Sequence, residues 1–173
     1  MPSRQTLPTI WLMTDQRIGD ALWQAIERVP RGGGVMLRHH WGDHALGERV
    51  EAACEARGLM LSVAGDVVLA RRLGAAMVHN PANEAGDLLI SRSIHSRAEA
   101  LAAHDADLVI VSPLFASASH PGGATLGLEA ALDLAELAGV SAIALGGMNR
   151  ERGETAIRAG FHGWAAIDAF LRS

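Results

Sequence analysis

The 173-residue chain contains little cysteine, few aromatic residues and no long apolar run. Its one cysteine, Cys54, has no partner for an intrachain disulfide and lies among alanines, as a small core residue of a helix does. No segment reaches the roughly 18 consecutive apolar residues of a membrane-spanning helix. The first residues also lack the apolar segment of a secretory signal. We therefore expect a cytoplasmic protein with no membrane partner.

An excess of positive charge is absent as well. The formal net charge is −4, which argues against a nucleic-acid partner, because such proteins present a basic face. Hydrophobic residues make up 49% and charged residues 20%, a balance typical of a globular chain. No linker or low-complexity tract divides the sequence, so residues 1–173 are predicted to form a single domain.

Short apolar runs alternate with alanine-rich stretches of helical periodicity along the whole chain. The runs predict strands at 10–14, 34–38, 59–63, 76–79, 88–91, 108–112, 142–145 and 164–167. The stretches between them predict helices at about 18–29, 42–57, 67–73, 97–104, 127–138 and 151–159. This order favours an α/β fold, a compact (β/α)8 barrel with shortened fourth and eighth helices, counted by the strand that each helix follows. The alternative is a smaller doubly wound sheet. A trimmed barrel exposes apolar surface, so we expect a homo-oligomer.

Two predicted strands run directly into loops that contain glycines. Residues 112–123 combine small side chains, hydroxyls, one imidazole and two glycines, and the strand at 142–145 ends in Gly146-Gly147. Such loops approach an anion closely and donate backbone N–H groups and hydroxyls to it. Because strand ends of one barrel face meet, the two loops predict a phosphate site. The alternative is that both are ordinary tight turns.

Histidines collect at the same predicted end of the barrel. The chain has eight, and five lie at strand ends or in the loops beyond them: His39, His40, His79, His95 and His120. The carboxyl ends of barrel strands form the functional face of this architecture. Each histidine alone fits a polar loop residue. Together they indicate an imidazole-lined pocket, which suits an anion or, less well, Zn²⁺.

Several motifs resemble one known family in the order of its strands. Residues 11–15, 35–38 and 74–79 resemble its first, second and fourth strands, and Ser93-Ile94-His95-Ser96 resembles its Ser-x-His motif. Residues 112–120 are similar to its Gly-Pro-x-Phe-x-Thr-x-Thr-Lys motif, and 144–148 and 163–167 resemble its last two strands. The family is that of the thiamine-phosphate synthases and the related TenI-type thiazole tautomerases. The resemblance covers nearly the whole chain and implies a (β/α)8 barrel.

The resemblance also implies a reaction. The synthase branch joins hydroxymethylpyrimidine pyrophosphate to a thiazole phosphate and releases pyrophosphate through a pyrimidine-stabilised cation. Such chemistry needs a charge clamp on the leaving group, usually Mg²⁺ with Lys or Arg, and a cradle for the second phosphate. The expected partners are therefore small phosphorylated heterocycles, and the expected cofactor is Mg²⁺.

The resemblance assigns roles to particular residues. Catalytic roles fall on Arg38, Ser93, His95 and His120. Substrate or phosphate binding falls on Ser117, Ser119, Gly122, Gly146, Gly147, Ile167, Asp168, His40 and His79. The Mg²⁺ ligands are expected to be Asp66 and Glu84, although Asp66 also fits the cap of the helix that follows it.

The chain departs from the family pattern at several of these positions. Asp168 stands where the family has Ser, His40 and His120 stand where it has Lys, and Ala64-Gly65 replaces an Asn-Asp pair. These changes favour a second hypothesis, a non-catalytic or repurposed barrel that binds a phosphate ligand. A third hypothesis is a thiazole tautomerase, but that branch uses a catalytic His where this chain has Pro113. The first hypothesis, a thiamine-phosphate synthase, rests on the overall match.

Overall fold

A computed structural model describes residues 6–39, 43–117 and 122–171. Eight parallel strands form a closed barrel in which each strand pairs with its neighbours in the chain and β8 closes on β1. The strands are β1 (Ile10–Met13), β2 (Gly34–Leu37), β3 (Met60–Ala64), β4 (Met77–His79), β5 (Leu89–Ile94), β6 (Leu108–Val111), β7 (Ser141–Ala144) and β8 (Gly163–Ala166). The barrel prediction is confirmed, and the doubly wound alternative is wrong.

Helices follow most strands on the outside of the barrel. They are α1 (Leu22–Arg28), α2 (His44–Arg57), α3 (Val67–Arg72), α4 (Arg97–Ala102), α5 (Gly127–Ala138) and α6 (Arg150–Ala159). The first predicted helix is shorter than expected because a 3-10 helix, Gln16–Ala21, precedes α1 and is broken at Gly19, where φ is +52°. No helix lies between β4 and β5, and the described residues after β8 form only the 3-10 turn Asp168–Phe170. No helix in the described part of the chain is long and apolar enough to cross a membrane.

Residues 80–88 take the place of the absent helix, and two arginines hold this loop. The Arg71 guanidinium donates to the Ala85 carbonyl at 3.0 Å. Arg92, on β5, donates to the Pro81 carbonyl at 3.1 Å and pairs with Asp105 at 2.6 Å. The loop is thus tied to α3 on one side and to β5 on the other.

Alternation along the strands divides the apolar side chains between two cores. Trp11, Met13 and Met36 belong to a cluster inside the barrel, together with Met77, Leu108, Ile110, Ile143 and Ala165. Leu12 and Val35, one position away, belong to the larger cluster packed against the helices. This period of two is the pleat of a strand with both faces buried. The barrel interior is therefore filled with side chains, and open space is left only at its end.

Candidate functional site

A cavity of about 770 Å³ opens at the carboxyl ends of the strands. It is lined by Met13, Asp15, Arg17, Arg38, His79, Ser93, His95, Ser112, Pro113, Phe115, Ala116, Ser117, Gly123, Ala124, Thr125, Leu145, Gly146, Gly147, Met148, Ala166, Ile167 and Asp168. Its volume is that of a small-molecule site. Its position is the one at which (β/α)8 barrels bind their ligands.

An acid and two arginines form the wall at β1 and β2. Asp15 follows β1 and accepts from the Arg17 side chain through both oxygens, at 2.8 and 2.9 Å. The Arg38 guanidinium lies 4.0 Å from the same carboxylate. The hydrogen bond from Arg17 is the largest cause that holds the pKa of Asp15 at about 2, so this carboxylate is charged throughout the neutral range.

Arg38 is fixed by the backbone of the neighbouring strand. Its Nε donates to the Thr14 carbonyl at 2.9 Å, and its backbone N–H donates to the Thr14 hydroxyl at 2.9 Å. Burial lowers the pKa of the guanidinium, which still carries its charge because arginine starts from so high a value. All 15 residues of the Lys and Arg class are arginines in this chain. Arg38 and Arg17 are therefore the cations that the described cavity wall offers to an anion.

A buried histidine lies on the wall formed by β4 and β5. His79 is 4% exposed, and its ring contacts the Ser91 hydroxyl through Nδ1 at 2.9 Å and the Ser93 hydroxyl through Nε2 at 3.0 Å. Burial lowers the pKa of His79 to about 4, with Arg38 and Arg92 adding to the effect. At neutral pH this part of the cavity is therefore polar but uncharged.

His95 sits at the end of β5 with one ring nitrogen fixed. Its Nδ1 lies 2.8 Å from the Ser112 carbonyl oxygen, which only accepts, so Nδ1 carries a proton. In the neutral ring Nε2 is then the atom able to take a proton or accept a hydrogen bond. The His95 backbone N–H donates to Glu99 at 2.7 Å, the largest cause that lowers the pKa of that carboxyl. This contact anchors the loop between β5 and α4.

The glycine pair after β7 brings two loops together. Gly146 and Gly147 have φ of +105° and +60°, and a Cβ on Gly146 would lie 2.7 Å from the Pro113 Cα. A Cβ on Gly147 would collide with the Ala116 carbonyl oxygen. Packing of this loop against the loop after β6 thus already requires both glycines. Their presence alone does not distinguish a phosphate cradle from a tight turn.

Nine of the residues predicted from the sequence line this cavity. They are Arg38, His79, Ser93, His95, Ser117, Gly146, Gly147, Ile167 and Asp168. Gly122 is exposed, with φ of +76°, and is not among the lining residues, although the next residue is. His40, Ser119 and His120 lie outside the described residues.

Asp66 and Glu84 do not form the predicted magnesium site. The Asp66 carboxylate accepts from the Leu69 backbone N–H at 2.8 Å and caps α3, and Glu84 is exposed in the loop between β4 and β5. Neither lines the cavity, and no group of three or more His, Cys, Asp and Glu among the described residues is arranged to hold a metal ion. The pair therefore does not fit Mg²⁺ held against a ligand in the cavity. The helix-cap interpretation of Asp66 accounts for its contact.

The pairing of Asp15 with Arg17 is the main feature that the sequence predictions missed. The signal was Thr14-Asp15-Gln16-Arg17 at the end of the first strand, where an acid and a base stand two residues apart. On a strand such residues share a face, but here Asp15 is the cap of a 3-10 helix and accepts from the Arg17 backbone N–H at 2.9 Å. That turn brings the guanidinium back onto the carboxylate and into the cavity wall.

Comparison with known proteins agrees with the barrel fold. A family model described as thiamine monophosphate synthase, TMP-TENI, matches residues 13–170. The chain belongs to this family. Within it, a protein of Aquifex aeolicus (strain VF5) with the provisional name thiamine-phosphate synthase 2 is 26% identical over 183 residues, covering 95% of this chain and 98% of its own. The thiamine-phosphate synthase of Chloroflexus aurantiacus is also 26% identical, covering 94% and 84%.

A solved structure shares the fold of this thiamine monophosphate synthase family member. The thiamine phosphate pyrophosphorylase from Pyrococcus furiosus superposes with a TM-score of 0.77, covering 95% of this chain and 88% of that one at 22% identity. The superposition covers nearly the whole of this chain, so the two proteins share the barrel fold.

Proposed function

We propose that this member of the thiamine monophosphate synthase family joins hydroxymethylpyrimidine pyrophosphate to a thiazole phosphate, forming thiamine phosphate and pyrophosphate. The observation that carries the proposal is the match over residues 13–170 combined with nine predicted site residues around one cavity. The cavity has a cationic wall at β1 and β2, and the loops after β7 and β8 line another part of it with Gly146, Gly147 and Asp168. Two substrates with separate phosphate groups suit such a site.

In the proposed reaction the C–O bond between the pyrimidine methylene and pyrophosphate breaks, and pyrophosphate leaves with the electron pair. The thiazole nitrogen then forms the new C–N bond, so no other reactant is consumed. Arg38 and Arg17 are placed to stabilise the charge that grows on the leaving group. His79 stays neutral at neutral pH, so it adds no positive charge beside the pyrimidine cation.

The second phosphate is assigned to the loops after β7 and β8. Gly146 and Gly147 bring backbone close to the cavity, and Ile167 and Asp168 complete its edge. The Asp168 carboxylate opposes a dianion at this edge, which weakens phosphate binding. Arg17 lies close enough to interact electrostatically with Asp168 and offsets part of this repulsion.

A second candidate function, binding of a phosphate ligand without turnover, is favoured by the positions of Asp66, Glu84 and Asp168. The predicted metal pair lies away from the cavity, and a carboxylate lies inside it. The tautomerase hypothesis has less support. Pro113 lines the cavity at the position where that branch has its histidine, and a pyrrolidine ring transfers no proton.

Turnover and calorimetry together test the proposal. Purified protein is incubated with both substrates with and without Mg²⁺, and thiamine phosphate and pyrophosphate are quantified. We expect both products in equal amounts, and the two incubations show whether their formation requires Mg²⁺, for which Asp66 and Glu84 provide no ligands in the cavity. Substrate binding by isothermal titration with no product would establish the ligand-binding function instead. Binding of neither substrate would overturn both functions.

A further inference from the structure

Asn80, directly after β4, has an unusual backbone conformation and an unusual set of contacts. Its φ is +47°, and it is the one residue other than glycine with a positive φ in the described ranges. Asparagine tolerates this left-handed conformation better than most residues, at some cost in free energy. The turn places the amide of Asn80 between the His79 ring and Ser93, at the edge of the cavity.

The polarity of the Asn80 amide follows from its contact with backbone. The Ser93 backbone N–H donates at 2.9 Å to the Asn80 side chain, and a donor requires an oxygen, so this atom is Oδ1. The other end, Nδ2, then only donates. It lies 3.1 Å from His79 Nε2 and 3.3 Å from the Ser93 hydroxyl oxygen.

This polarity also determines the tautomer of His79. Because Asn80 Nδ2 donates to it, Nε2 of the neutral ring carries no proton, and the proton resides on Nδ1. Nδ1–H then donates to the Ser91 hydroxyl at 2.9 Å. Ser91 is fully buried, so the ring is held from the barrel interior on one side and by Asn80 on the other.

Two donors compete for one lone pair at His79 Nε2. The Ser93 hydroxyl is 3.0 Å from this atom, and the Asn80 amide is 3.1 Å from it. Nε2 has a single in-plane lone pair, so when Asn80 occupies it the Ser93 hydroxyl hydrogen turns elsewhere. Ser93 lines the cavity, whereas Asn80 does not. Because Ser93 lines the cavity, its hydroxyl hydrogen is then able to point toward a ligand there.

We propose that Asn80 is a positioning residue that holds His79 as an Nδ1–H tautomer with Nε2 as an acceptor, and thereby keeps the Ser93 hydroxyl available as a donor to a ligand in the cavity. The group recognised is a hydrogen-bond acceptor in an uncharged part of the ligand. The polarity of the network stands without reference to any reaction. Its use in turnover rests on the proposed function.

Replacement of Asn80 by Asp tests the polarity with almost no change of shape. A carboxylate keeps the contact with the Ser93 N–H but presents an acceptor to His79 Nε2, so a proton must move onto that nitrogen. The matched control is Asn83→Asp, which makes the same charge change at an exposed position in the same loop. Arg38 and Arg92, the cations that act on His79, are present in both variants.

Nuclear magnetic resonance of ¹⁵N-histidine-labelled protein measures which ring nitrogen of His79 carries the proton. In the unmodified chain and in N83D we expect His79 to be protonated on Nδ1 alone between pH 6 and pH 8. In N80D we expect a proton on Nε2 at pH 6. A wild-type His79 protonated on Nε2, or an N80D spectrum identical to the wild type, would overturn the proposal.

A second variant, Asn80→Gly, removes the amide and tolerates the positive φ. We expect KM for hydroxymethylpyrimidine pyrophosphate to rise about tenfold, since one hydrogen bond to the ligand is lost, with kcat changed by less than about twofold. If no turnover exists, the calorimetric Kd for the same compound replaces KM. An unchanged KM or Kd in N80G would show that Ser93 does not depend on Asn80. The spectra of N80D are interpretable whichever function is correct.

Discussion

At the scale of single residues, the cationic wall depends on arginines whose charges are partly compensated. Asp15 takes two hydrogen bonds from Arg17 and lies 4.0 Å from Arg38. A guanidinium gives a phosphate two parallel donors, which an ammonium does not, so arginine is the suitable cation for a pyrophosphate. Because both guanidinium groups lie beside the Asp15 carboxylate, an incoming anion competes with Asp15 for the same donors.

The first prediction concerns Arg38. Its side chain is about two-thirds buried, and its Nε is fixed on Thr14, so its loss leaves the anion without a positioned partner. We expect Arg38→Ala to weaken the binding of inorganic pyrophosphate at least about tenfold, the value of one charge-assisted hydrogen bond. Isothermal titration at constant ionic strength measures the effect.

Arg150→Ala is the matched control for Arg38, because it removes the same charge from a side chain that is 90% exposed. We expect its affinity for pyrophosphate to stay close to that of the unmodified chain. Equal losses in the two variants would mean that net charge rather than the cavity wall attracts the anion. The assignment of Arg38 would then be wrong.

The second prediction concerns His79 and pH. Its pKa is about 4 in the folded chain and about 6.5 in the unfolded one, so between these values the unfolded state binds a proton that the folded state excludes. Stability is therefore lost as pH falls through this window and is unaffected above it. We expect His79→Gln to remove about 2 kcal/mol of the decrease in unfolding free energy between pH 7.5 and pH 5.

Urea denaturation at the two pH values measures this difference. The exposed His104→Gln serves as control, and its decrease should follow that of the unmodified chain. An H79Q variant with the same pH dependence as the unmodified chain would show that His79 is not buried in its neutral form.

At the scale of secondary structure elements, apolar patterning located all eight strands. It misplaced the carboxyl end of β5, where the strand contributes residues to the cavity. β5 was predicted to end at residue 91, yet it continues to Ile94, with Arg92 and Ser93 paired to Val109 and Ile110 of β6. Polar residues at a strand's carboxyl end are read as a loop, although in a barrel they are the residues that point into the cavity. Pairing with a neighbouring strand, which the sequence does not display, extends the element.

The position of an acid in the sequence also did not distinguish a helix cap from a metal ligand. An acid that follows a strand and precedes a helix satisfies both patterns, and only the 2.8 Å contact of Asp66 with the Leu69 N–H distinguishes them. The same limit applies to Arg17, whose direction is set by the turn at Asp15. Residue types at strand ends were therefore predictable, whereas the directions of their side chains were not.

The third prediction concerns the contact between α6 and β8. A Cβ on Gly153 would collide with the indole ring of Trp164, which is buried and stacked on Phe170 at 5.8 Å. In an open helix interior Gly→Ala stabilises by up to about 1 kcal/mol. Here we expect Gly153→Ala to destabilise by about 1–3 kcal/mol, because overpacking outweighs the helix propensity.

Urea denaturation distinguishes the two effects at Gly153 by sign. Gly47→Ala, within α2, provides the comparison, since its nearest neighbour is the flexible end of Leu73 at 3.0 Å. We expect Gly47→Ala to cost clearly less. A Gly153→Ala variant more stable than the unmodified chain would contradict the packing of Trp164 against α6.

At the scale of the whole molecule, the chain closes an eight-stranded barrel with 173 residues because one outer helix is replaced by a loop and another by a single turn. The alternation of strands and helices predicted a shortened helix after the fourth strand, and the structure has no helix between β4 and β5. The barrel interior does not need that helix, since the cluster inside it draws on β1, β2, β4, β6, β7 and β8. The missing helix leaves a gap in the outer layer between α3 and α4.

The last prediction concerns the homo-oligomer expected from this trimmed outer layer. Val68 on α3 is 79% exposed and Leu101 on α4 is 60% exposed, and these two helices stand on either side of the missing one. Apolar side chains at such positions are typical of subunit contacts. We expect light scattering at micromolar concentration to give a mass larger than 18.2 kDa. The double variant Val68→Glu, Leu101→Glu should move it to the monomer.

Ile157→Glu is the control for this experiment, because Ile157 is 42% exposed on α6, across the barrel from the gap. Its mass should equal that of the unmodified chain if the contact lies at α3 and α4. A monomeric wild type would refute the prediction. An oligomer that the double variant leaves intact would place the contact elsewhere, and dissociation by Ile157→Glu alone would place it at α6.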